Sequence, residues 1–190
     1  MRLRLSTVTA AIAASLVLAL ASAAPGQSLP ESFTATATAK SEAKSGSAPV
    51  RIRIDAWSSM AERDAVMAAL KKGGTPAVRQ VLSGMKDVGL IEVGESKAPI
   101  RYAFARPIGG GRVITIVTDN PLLHLGAGLP DAKPTTGYDV AVAVLVLDEK
   151  GSGHAELSPA AKVKADEGGA VVVEDYGPVK VWMKDVARAK

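Results

Sequence analysis

Two histidines, His124 and His154, are the whole imidazole complement of this 190-residue chain. They carry most of the chemistry that its residue types offer. His154-Ala155-Glu156 sets an imidazole and a carboxylate two residues apart, on one face of an extended strand, because strand side chains alternate. Such a pair supplies two ligands toward a zinc site, and a third, such as His124, would have to come from elsewhere. A Ser-His-Asp hydrolase needs a turn that presents the serine to the histidine. No Gly-x-Ser-x-Gly occurs, and Ser83-Gly84 and Ser158-Pro159 read as ordinary helix-end and strand-edge residues. Gly109-Gly110-Gly111-Arg112 has the glycine density of a phosphate cradle, but a cradle opens a helix and a strand follows here. The expectation is a non-catalytic binding or interaction protein with no resident metal or cofactor. A small hydrolase using His124 or His154, or a purely structural envelope protein, are the alternatives.

The stretch best suited to binding is the loop from Asp119 to Gly137, which contains Pro121, Gly126, Gly128, Pro130 and Pro134. Loops of this length without secondary structure are often functional or mobile. Leu122, Leu123, His124 and Leu125 within it form an apolar patch that either folds over the core as a lid or meets a partner. Asp139 stands where the loop meets the next strand. Tyr102, Phe104 and Trp182 are expected near the interior of a barrel or sandwich, where a small apolar ligand would sit. The candidate ligand- or partner-binding residues are therefore Leu122, Leu123, His124, Leu125, Asp139, Tyr102 and Phe104.

The elements that must position these residues are mostly strands. Tyr138 to Asp148 alternates Val140, Val142, Val144 and Val146 with Ala141, Ala143, Leu145 and Leu147. Both faces are apolar, so this strand has to be covered on both sides. Full burial of each Val or Leu is worth roughly 1.5 to 3 kcal/mol, which places it at the sheet centre. Phe33 to Lys40 alternates Thr with Ala, a strand pattern that a low-complexity linker would also show. Pro49 to Trp57 turns Ile52 and Ile54 inward and Arg51, Arg53 and Asp55 outward. Then the period changes. Ser59-Met60-Ala61-Glu62 is a capping box, Val66, Met67 and Leu70 form a helical stripe, and Lys71-Lys72-Gly73-Gly74 closes it. Thr75-Pro76 restarts a second helix with Val78, Val81, Leu82 and Met85 on one face. Further strands are read at 89–93, 99–107, 112–118, 154–164, 170–175 and 178–186, with a hairpin turn at Ile108-Gly109-Gly110-Gly111.

The fold class expected is mainly β with a small α insertion (α+β). An antiparallel sheet of about eight or nine strands forms a barrel or a sandwich, with one αα-hairpin at 59–85.

Arg2 and Arg4, an apolar run from Val8 to Ala21 and the small residues Ala21-Ser22-Ala23 have the pattern of a secretory signal peptide over 1–23. A disordered lead (24–31) and a single domain (32–190) follow. The apolar run is shorter than the roughly 18 residues of a spanning helix. Cleavage removes two arginines and no acid, so the net charge of +4 falls to +2. With acids and bases interleaved, nucleic acid is not an expected partner. A small apolar ligand or an envelope protein is. The chain has no cysteine, which excludes disulfides, thiolate metal sites and a lipoprotein anchor. Aromatic residues make up only 4%, too few for the girdles of an outer-membrane barrel. A periplasmic or secreted protein without membrane insertion is expected.

The segments P-I-R-Y-A-F-A-R-P (Pro99 to Pro107), I-T-I-V-T-D (Ile114 to Asp119) and L-S-P-A-A-K-V-K (Leu157 to Lys164) resemble those of exported bacterial proteins with no assigned activity. That resemblance implies export and a shared β-rich domain, and it carries over no functional residue.

Overall fold

The structure, a computed structural model, describes residues 29–40, 45–126, 128–177 and 179–189. The signal peptide read at 1–23, and residues 24–28 of the lead, lie outside the described residues.

Among the described residues, ten strands and one kinked helical element follow in order: β1 (Glu31–Lys40), β2 (Ser45–Ile54), α1 (Met60–Ser83), β3 (Gly89–Val93), β4 (Ser96–Ile100), β5 (Tyr102–Ile108), β6 (Gly111–Val117), β7 (Val140–Asp148), β8 (Ser152–Ala165), β9 (Val171–Asp175) and β10 (Val181–Arg188). Every pairing is antiparallel. Nine strands run in the order β4-β3-β2-β1-β10-β8-β7-β6-β5, and β9 pairs with β8 alone.

The sheet curls into a nearly closed barrel whose two edge strands, β4 and β5, are separated in the chain only by Arg101. Sequence periodicity merges them into one strand at 99–107, and the bend at Arg101 divides it. Ser58 bridges the gap at Ala103: its N–H donates to the Ala103 carbonyl at 2.8 Å, and its hydroxyl accepts from the Ala103 N–H at 3.1 Å. Pro99 and Pro107 fall on these two edge strands, where proline is tolerated and blunts unwanted pairing.

Alternation decides what lies inside. β1 is a strand, with Phe33, Ala37 and Ala39 buried inward and Thr34 and Thr36 exposed. β2 sends Ile52 and Ile54 in, and β7 sends in Ala141, Ala143, Leu145 and Leu147. The other face of β7 is covered as well. Val140 and Val142 join Tyr102, Val117, Val163 and Val171 in a second core outside the barrel, against Val66, Met67, Leu70, Val78 and Leu82 of α1.

At the start of α1 the Ser59 hydroxyl accepts from the Glu62 N–H, while the Glu62 carboxylate accepts from the Ser59 N–H at 2.7 Å. The helical insertion expected at 59–85 is present as two helical halves meeting at a kink, α1 as a whole spanning Met60–Ser83. Gly73 and Gly74 leave helical geometry, Gly74 at φ +62°, and form the break between the two halves, where the sequence places it. Thr75 does not serve as the expected cap. Its hydroxyl accepts from the Val163 N–H at 2.9 Å and ties the second half of α1 to β8.

β8 has fourteen residues and two partners on one edge, β10 along 152–157 and β9 along 162–165. β9 and β10 thus run in line beside it, interrupted at 176–180. The turn after β8 reaches across to α1 and β5. Arg63 donates to the Gly169 carbonyl at 2.6 Å, and Arg106 donates to the Asp166 carboxylate at 3.4 Å. The β8–β9 hairpin therefore arches over the outer wall of the barrel.

Candidate functional site

The loop between β6 and β7 closes one mouth of the barrel. Its root is fixed by Arg79, whose Nε donates to the Asp119 carbonyl at 3.2 Å, and by an Arg101–Asp119 ion pair at 3.2 Å. The Leu122 N–H donates to the Pro159 carbonyl of β8 at 2.8 Å, and the Glu95 N–H to the Leu125 carbonyl at 3.2 Å. Gly94, at φ +59°, is approached so closely that a Cβ there would meet the Leu125 oxygen at 2.2 Å. Leu122, Leu125 and Leu129 are 4%, 0% and 2% exposed and belong to the barrel core.

The residues expected to bind are thus spread over three places. Leu122 and Leu125 point into the core, while Leu123 is half-buried. His124 faces out, its Nδ1 2.9 Å from Asp131 and its Nε2 4.0 Å from Glu95. Asp139 is half-buried directly before β7. Tyr102 and Phe104 are not in the barrel interior. Their strand turns Ala103 and Ala105 inward, because small side chains fit the tightly curved wall, and the two aromatic rings face α1 outside, stacked 6.2 Å apart. Burial pushes the Tyr102 hydroxyl up to about 12, partly offset by Arg63. Trp182 is on the outer wall as well, half exposed.

At the barrel's far end Glu31 is fully buried and takes two hydrogen bonds from Arg112, at 2.5 and 3.2 Å. Arg188 lies 3.6 Å away, and the Arg112 guanidinium stacks between Phe33 and Trp57. The buried Glu31 carboxylate is matched by the largely buried Arg112, while Arg188 is more exposed, and the cluster reads as structural.

The outer wall carries a different feature. Under the β8–β9 arch lies a cleft of about 410 Å³. Its floor is Val113, Val144 and Val146, all half-buried, and its side is formed by Val171, Val172, Val173 and Glu174 of β9. The cross-strand row Arg106, Val113, Val146, His154 runs along it, and the next row is Thr115, Val144, Glu156. His154 and Glu156 share one face, as their spacing requires, and both line the cleft. Lys180 pairs with Glu156 at 2.7 Å, and its ammonium sits 4.4 Å from the Trp182 ring centre and 5.4 Å from that of Tyr176.

The arch is latched by the Tyr138 hydroxyl, which donates to Asp175 at 2.7 Å. That hydrogen bond is the main reason that the Asp175 carboxyl is held below its usual range and the Tyr138 hydroxyl is raised. No group of three or more potential metal ligands occurs among the described residues, and none of their helices is long and apolar enough to cross a membrane.

No protein-family model, curated protein or solved structure matches this chain. Reading the sequence missed the cleft residues Arg106, Val113, Tyr176 and Lys180. The available signal was Val171-Val172-Val173, an unbroken apolar run in a strand next to a Gly-Gly turn, which needs cover on more than one side.

Proposed function

We propose that this chain is an exported, non-catalytic binding protein whose recognition site is the outer cleft beneath the β8–β9 arch. One contrast carries the reading: the barrel interior is packed with side chains from its strands and the mouth loop, whereas the valine floor of the outer cleft is left half-covered. A concave apolar surface ringed by a few convergent polar groups is the usual form of a ligand site. Here those groups are Arg106, His154, Glu156 and Lys180. The Trp182 and Tyr176 rings extend the surface, and aromatic side chains of this kind are enriched where proteins bind partners. Arg2, Arg4, the apolar run and Ala21-Ser22-Ala23 support export to the periplasm or beyond, as does the resemblance to exported bacterial proteins.

Native mass spectrometry of the protein isolated from its own cell envelope tests both parts. The expected spectrum shows a chain starting at Ala24 with a bound mass that is missing from Val146→Lys. A chain with an intact amino terminus overturns export, and a bound mass retained by Val146→Lys overturns the site.

One observation favours a second reading, a small hydrolase. The Asp131 carboxylate holds the His124 imidazole, which is the orienting half of a triad. Ester, glycoside or peptide cleavage lost in His124→Ala would establish it.

A further inference from the structure

We infer that the occupant of the outer cleft is an extended peptide segment of a partner protein, added as a strand to the free edge of β9; this rests on the cleft being the binding site.

β9 lies at the margin of the sheet. Along its five residues it pairs only with β8, and among the described residues its second edge has no strand partner. Alternate N–H and C=O groups of a strand point to opposite edges, so that edge presents unmade hydrogen bonds. Four consecutive residues, Val171 to Glu174, line the cleft. Consecutive residues of a strand face opposite sides, so the cleft is bounded by the strand's edge rather than by one of its faces.

A lipid or a small apolar molecule would satisfy the valines and leave this backbone edge unpaired. A peptide strand satisfies both. Main-chain hydrogen bonds then supply affinity, and pockets for alternate side chains supply specificity. The floor suits small β-branched or alanine side chains, since Val113, Val144 and Val146 sit at neighbouring positions of paired strands. Glu174 is exposed and makes no ion pair among the described residues. Arg106 and Lys180 are already engaged by Asp166 and Glu156. The charge left over on this rim is therefore acidic, and it favours a lysine or arginine beside the apolar run of the partner.

The test uses fluorescein-labelled KVTVAV amide and the purified protein, read by fluorescence anisotropy and by amide exchange. The expected result is saturable binding with slowed exchange at 171–175. It should weaken at least fivefold when alternate peptide nitrogens facing β9 are methylated, because each methyl removes one donor. Binding should also be lost in Val146→Lys. The methylated peptide is tested on unaltered protein, so this arm does not depend on the variant folding. Equal binding of both peptides, or slowed exchange elsewhere with none at 171–175, overturns strand addition. If anilinonaphthalene sulfonate binds and is lost in Val146→Lys while no peptide binds, the cleft stands as a site and the peptide proposal falls. If neither probe binds, both fall. A dimer in native mass spectra with β9 protected in the absence of peptide overturns it in favour of a second copy of this chain.

Discussion

Leu125→Ala is the sharpest test of how the mouth loop relates to the barrel. Leu125 belongs to a surface loop by sequence, yet it is 0% exposed and sits among core residues such as Leu122 and Leu129. Its carbonyl is pinned by the Glu95 N–H, and the close approach of Gly94 leaves the backbone little room to shift. The truncation therefore removes buried methyl groups and leaves a cavity that the loop cannot easily collapse into. Core Leu→Ala changes of this kind cost about 3 to 4 kcal/mol, which for a domain of this size lowers the melting temperature by roughly 6 to 16 °C. Leu123→Ala, at a half-buried position two residues away, should cost under about 1 kcal/mol. Urea unfolding of the two variants, with the slope compared to that of the parent, reads both numbers. If Leu125→Ala costs no more than Leu123→Ala, the loop is a detachable lid rather than part of the core.

Glu31→Gln should destabilise by roughly 3 to 5 kcal/mol, because it leaves Arg112 buried without its counter-charge; apolar replacement of Glu31 and Arg112 together should recover most of that loss in the same urea assay. The Tyr138–Asp175 latch has two pH limits. The Asp175 carboxyl is lowered, so its contribution is present above the unfolded value of about 3.9 and is lost as pH falls through the lower folded value. The Tyr138 hydroxyl is raised, so its contribution is present below about 10 and is lost as pH rises through the higher folded value. Amide protection factors at 171–175 should be greatest between these limits, and Tyr138→Phe should flatten the profile; an unchanged profile would show that the arch is held elsewhere. In an ultraviolet pH titration Tyr102 should ionise near 12. Since that value is raised, the stability associated with the buried hydroxyl is complete below about 10 and is lost as pH rises through 12.

Much of the fold was legible because its signals are local. The two apolar faces of β7 required cover on both sides, and the barrel core and α1 supply it. Ser59 and Glu62 marked the helix start, and Gly109-Gly110 the β5–β6 turn. What could not be read depends on curvature. Tyr102 and Phe104 alternate with Ala103 and Ala105, and period alone cannot say which set lines a small barrel; the tight wall takes the alanines. Nor does sequence show that β8 continues past the barrel to carry β9 over the outer wall. The cleft arises from that bend, and its floor residues, Val113, Val144 and Val146, look like any core valines in the chain. His154 and Glu156 were placed correctly on one face, but the lysine that engages Glu156 lies 24 positions away in sequence.

Methyl-labelled nuclear magnetic resonance during titration with KVTVAV amide separates the cleft from the interior, because a set of valines lines the cleft and Ile52, Ile91 and Ile116 belong to the barrel core. The methyls of Val113, Val144, Val146, Val172 and Val173 should shift together and saturate, while those of Ile52, Ile91 and Ile116 stay still. Shifts confined to the interior isoleucines, with the cleft valines silent, would move the site back inside the barrel.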